Sequence, residues 1–92
     1  GKWKVQIVCA LTNAGAIRYN ALRGKLDGIS NTVLATSLRE LEADGLVVRT
    51  VYPEVPVRVE YRPTDDCRAL LPILEQLSDW AERRMTETES PL

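Results

Sequence analysis

The chain has 92 residues, of which 45% are apolar and 27% charged, and a formal net charge of −1; this supports one folded domain and excludes a disordered chain. Histidine is absent, which removes the commonest general base and metal ligand, so neither an enzyme nor a metal or cofactor site is expected. No apolar run approaches the ~18–20 residues of a membrane span and no leader pattern opens the chain, so a soluble cytoplasmic protein is expected.

In chain order, Trp3, Ile7 and Leu11 recur every four residues with Val8 beside them, which predicts a helix over 3–13 ending near Gly15. A brief extended piece at Ala16–Arg18 leads to a short second helix carrying Tyr19, Leu22 and Leu26. After Asp27-Gly28-Ile29, Ser30 is placed to cap a third helix, whose buried stripe is Leu34, Leu38 and Leu41 and whose C-cap is Gly45. Two helices joined by so tight a connection predict a helix-turn-helix.

Leu46–Tyr52 is rich in β-branched residues and predicts a strand. Pro53 and Pro56 interrupt it, because proline cannot sustain sheet pairing. Val57, Val59 and Tyr61 then alternate with Arg58, Glu60 and Arg62, the period of a half-buried strand. A hairpin directly after a helix-turn-helix is the order of a winged helix. Thr64, followed by Asp65 and Asp66, predicts the capped start of a last helix running to about Met85. Pro72 within it either kinks the helix or moves its start later. The expected fold is α+β, mainly α: a winged helix-turn-helix with a two-stranded wing and a long C-terminal helix over 1–85, then a flexible tail over 86–92.

Charge is unevenly distributed. Residues 1–39 hold six cations against Asp27 alone, a formal +5, and residues 40–92 hold six arginines against twelve carboxylates, a formal −6. A basic N-terminal part points to an anionic partner on that side. Asn31, Thr32 and Thr36, on the open face of the third helix, carry groups that pair with base edges in a major groove. Asn31 leads among them, because an amide bonds adenine with both ends. Arg39 reaches a phosphate or pairs with Glu40 or Glu42. Arg58, beside the wing tip, is placed for a neighbouring minor groove. Arg18, Arg23 and Lys25 flank the second helix as phosphate contacts.

Gly1-Lys2-Trp3, Gly28-Ile29-Ser30, Leu38–Val47 (LRELEADGLV) and Tyr52–Tyr61 (YPEVPVRVEY) together resemble HxlR-type bacterial transcription regulators. Leu70–Glu75 and Asp79-Trp80 continue the likeness, which covers nearly the whole chain. The resemblance implies a homodimeric, duplex-DNA-binding regulator of the MarR-like group, acting on an inverted-repeat operator. Several members sense oxidants or electrophiles through a cysteine in an arm ahead of the GKW motif. Such an arm is here either absent or outside the sequence, and neither cysteine matches its position. Where the family commonly has glutamine-lysine after the capping serine this chain has Asn31-Thr32, and Ala35-Thr36 replace threonine-glutamine.

Trp3, Val5, Leu70, Leu74, Leu77 and Trp80 are the expected core and dimer-interface residues, since so small a core leaves apolar surface for a second copy. Cys9, off the first helix's stripe, is the candidate redox thiol, with the effector unspecified. Two other readings stay open: a winged helix that contacts protein rather than DNA, and a thiol-based redox enzyme.

Overall fold

A computed structural model describes residues 2–89. The order is α1 (Lys2–Ala14), β1 (Ile17–Arg18), α2 (Tyr19–Lys25), α3 (Asn31–Ala43), β2 (Val47–Tyr52), β3 (Arg58–Pro63) and α4 (Asp65–Glu89). Every predicted element is present, in the predicted order. Ile7, Val8 and Leu11 of α1, Leu22 of α2 and Leu34 of α3 are wholly buried, joined by Leu26, Ile29, Leu38 and Leu41. Each such side chain contributes about 1.5–3 kcal/mol by leaving water, so α1, α2 and α3 are locked as one head.

Two connections depend on glycine. Gly28 (φ +83°) turns the chain between α2 and α3, and Gly45 (φ +78°) turns it out of α3 into β2. That left-handed conformation is costly for any residue with a Cβ. Between the helices, Ile29 N–H donates to Leu26 O at 3.2 Å, so the turn is closed by its own backbone. Thr64 ties the second glycine turn to α4: its hydroxyl donates to Gly45 O at 2.8 Å and accepts from Cys67 N–H at 3.2 Å. The helix therefore begins at Asp65 as the cap predicts, and Pro72 lies inside it rather than shifting its start.

The sheet differs from the expected two-stranded wing. It has three antiparallel strands in the order β1-β3-β2, with Ile17 opposite Tyr61 and Arg18 opposite Glu60. Burying Ile17 places its two-residue strand against the open edge of β3, where its backbone groups find partners. A strand that short carries no periodicity from which pairing can be read. Burial in β3 does not alternate as expected: Arg58 to Tyr61 are all half-buried, with Tyr61 packed on the core, and Pro63, paired with the buried Val47 at the base of the hairpin, is buried, whereas Val57 just ahead of the strand is 63% exposed. The hairpin runs beyond the core, so its outer part has nothing to bury against.

In α4, Cys67, Leu71 and Leu74 pack on the head, and the helix then projects from it. A radius of gyration of 15.3 Å, against about 12 Å for a compact chain of this length, reflects that projection. The α4 backbone is helical to Glu89, past the expected end near Met85. Of the expected tail, 90–92 lie outside the described residues.

Candidate nucleic-acid interface

The buried stripe of α3 leaves the opposite face open. Ser30 Oγ accepts from Val33 N–H at 3.1 Å, satisfying one orphan amide of the first turn as the sequence predicts. Asn31 and Thr32 are exposed immediately beyond the cap, and Thr36 is half-buried one turn on. Arg39 is exposed, and its guanidinium donates to Thr36 Oγ1 at 3.3 Å. Among the described residues no carboxylate lies within ion-pair distance of Arg39, so neither Glu40 nor Glu42 neutralises it. Glu40 is instead taken by Lys4 of α1. Their hydrogen bond raises the Lys4 ammonium above its ordinary pKa and holds the Glu40 carboxyl below its own.

Arg49 of β2 was not singled out by sequence, yet it lines one cleft with Arg39, Glu42 and Tyr61. The signal was available in principle, since Arg49 is the cation within the VVRTVY strand. What sequence could not give is the packing of that strand beside α3. Two guanidinium groups thus border the groove between the helix and the sheet.

Arg58 occupies a different environment. It donates through Nε and Nη2 to both oxygens of Glu54, at 3.2 and 3.0 Å, and through Nη1 to Glu60 at 2.5 Å. Its guanidinium carbon also lies 3.8 Å from the centre of the Tyr52 ring. These partners, the Glu54 hydrogen bond first, raise its pKa above the ordinary arginine value. Arg18 stands near it: Arg18, Tyr19, Val57 and Arg58 border a cleft of about 510 Å³ between the start of α2 and the wing. Arg23 lines the groove at the helix-turn-helix connection with Asn20 and Asp27. Lys25, at the far end of α2, lies in another cleft with Val5, Gln6 and Cys9. The structure therefore gathers Asn31, Thr32, Thr36 and Arg39 on one helix face and Arg18 with Arg58 at the wing, and puts Lys25 elsewhere.

This geometry, a capped polar helix face between a wing and a preceding short helix, agrees with a match of residues 1–89 to the model of the HxlR-like helix-turn-helix family. The chain belongs to that family. An HTH-type transcriptional regulator of Halalkalibacterium halodurans is 48% identical over 80 residues, covering 87% of this chain and 71% of that protein. A MarR-family transcriptional regulator from Enterococcus faecalis superposes with a TM-score of 0.77 at 41% identity, covering 96% of this chain and 79% of the other. The redox regulator HypR in its reduced form gives 0.79 at 41% identity, covering 99% and 89%. As an HxlR-like protein the chain is a DNA-binding transcriptional regulator of the helix-turn-helix, MarR-like kind, and not an enzyme.

The remaining candidate residues of this HxlR-like chain divide by burial. Trp3, Val5, Leu70 and Leu74 are half-buried, and Trp3 and Leu74 pack against the core. Leu77 and Trp80 are 57% and 53% exposed, and Ile73, which the sequence reading did not place among them, is 59% exposed. Cys9 is half-buried; burial first, then the charge of Glu75, pushes its thiol pKa up. Cys67 is wholly buried, and burial raises its pKa despite nearby Arg68. Among the described residues no cluster of metal-ligating side chains occurs, and no helix is long and apolar enough to cross a membrane.

Proposed function

We propose that this regulator acts as a homodimer on an inverted-repeat operator, reading bases with the exposed face of α3. Asn31, Thr32 and Thr36 meet base edges in the major groove. Arg39, with Arg49 across the cleft and Arg18 and Arg23 on the flanks, meets phosphates. Arg58, its charge shared with Glu54 and Glu60, lies toward a neighbouring minor groove, and Lys25 contributes at the margin.

The observation that carries this reading is the division of exposed surface between α3 and α4. On α3 the open face is mainly polar, with Asn31, Thr32, Thr36 and Arg39 and only Val33 as an exposed large apolar side chain, whereas on α4 Ile73, Leu77 and Trp80, spaced four and three apart, form an apolar stripe. An apolar stripe left in water on a projecting helix suits a two-fold contact, in which one surface meets its own copy. Leu70, Leu74, Trp3 and Val5 extend that contact toward the head. Two α3 helices about 34 Å apart would then face successive major grooves. An effector or a thiol event, with Cys9 as the available thiol, would act by changing the separation of the heads.

Sedimentation equilibrium combined with selection from a random duplex pool tests this. A dimer that enriches an inverted repeat is the expected result. A monomer, or a dimer enriching no sequence, overturns it.

A further inference from the structure

Tyr19 opens α2 and Asn31 opens α3, and one hydroxyl joins them. Tyr19 O–H lies 3.2 Å from the Asn31 backbone carbonyl oxygen and 3.2 Å from Asn31 Oδ1. A phenol has a single hydrogen, so it is shared between two acceptors on the same residue. The ring itself is held: it packs against the core, and its centroid lies 6.5 Å from that of Tyr61 on β3, with the planes inclined at 51°. That is a favourable aromatic arrangement. The hydroxyl therefore reaches Asn31 from a fixed platform built by the sheet.

We propose that Tyr19 is a positioning residue for base reading by Asn31, engaging the amide oxygen and leaving the NH₂ end to face DNA. This deepens the DNA-binding reading above and rests on it. An unrestrained asparagine pairs adenine with both ends, its NH₂ donating to N7 and its oxygen accepting from N6. With Oδ1 turned toward Tyr19 and one of its two lone pairs engaged there, the second of those bonds is weakened. The outward NH₂ then carries the larger share of the recognition and matches acceptors, of which guanine presents two together, N7 and O6. The base opposite Asn31 is accordingly guanine rather than the adenine that the residue type alone suggests. Tyr19 thus touches no base and still sets which base is read.

The test is duplex selection and sequencing on the full chain in four forms: unaltered, Tyr19→Phe, Asn31→Ala and both together. Phenylalanine keeps the ring and its packing on Tyr61, so the fold is retained. The expected result is one operator position whose guanine preference disappears in Asn31→Ala. In Tyr19→Phe that position shifts toward adenine by roughly tenfold, within the range of a bidentate pair, while the salt slope is unchanged. In the Asn31→Ala background Tyr19→Phe has no further effect, which a merely structural role would not produce. An unchanged Tyr19→Phe profile, an Asn31→Ala profile like the unaltered one, or a Tyr19→Phe shift that persists without Asn31 overturns the inference alone. Absence of any enriched sequence in the unaltered protein overturns the DNA reading and this inference with it.

Discussion

The third helix and the wing are the two parts of this protein that would meet a duplex, and their charges are arranged oppositely. On α3, Arg39 is held by one hydroxyl, and the buried face beneath it is anchored in the core. On the wing, Arg58 lies against Tyr52 and is shared between Glu54 and Glu60, while Val55 and Val57 beside it stand in solvent. A formal charge therefore does not measure an available charge. One guanidinium between two carboxylates must surrender a partner before it neutralises a phosphate. Lys4 is committed to Glu40 in the same way, so part of the basic N-terminal charge is taken up by an intramolecular surface pair.

The anchoring half of this contrast has the largest expected effect. Leu34→Ala removes a wholly buried side chain of α3 and should cost about 2–5 kcal/mol in urea unfolding. Val57→Ala, at the exposed wing, should stay within about 0.5 kcal/mol. Similar losses from the two would mean that the wing is as firmly packed as the helix.

Next in size is the salt dependence of operator binding. Arg39→Ala should lower the slope of log affinity against log salt by about 0.9 per subunit, the loss of one phosphate contact. Arg58→Ala should lower it by less, because its charge is already shared. An equal loss would put Arg58 on a phosphate in the complex, with Glu54 displaced.

The smallest effect belongs to the Lys4–Glu40 pair, which lies in solvent. Because the Glu40 carboxyl is held below its ordinary value by Lys4, its contribution is present above the ordinary carboxylate range and lost as pH falls through the lowered value. Because the Lys4 ammonium is raised by Glu40, its contribution is present below its ordinary pKa of 10.5 and lost as pH rises through the raised one. The melting-temperature difference between the unaltered chain and Glu40→Gln should be level near neutral pH and shrink at both extremes. A difference that grows in acid would contradict this assignment.

The elements, the caps and the helix-turn-helix were legible in sequence because their causes are local. A 3.6-residue period places Ile7, Leu11, Leu34 and Leu38 inward, Ser30 accepts from an amide three residues on, and Gly28 and Gly45 occur where the chain turns. The open face of α3 follows from the same period, so Asn31, Thr32, Thr36 and Arg39 could be named in advance as candidates. Family membership was legible too, since it rests on motifs in order along the chain. Contacts between distant segments decided the rest. The pairing of Ile17 with Tyr61 made a third strand, the packing of β2 beside α3 brought Arg49 to Arg39, and the return of β3 placed Tyr61 behind Tyr19 and so the Tyr19 hydroxyl on Asn31. Residue types and spacings determine which groups are present and which way a helix faces them. Which of those groups remain free is decided by partners that only folding brings within reach, because hydrogen bonds and ion pairs act over a few ångströms of space, whatever the separation along the chain.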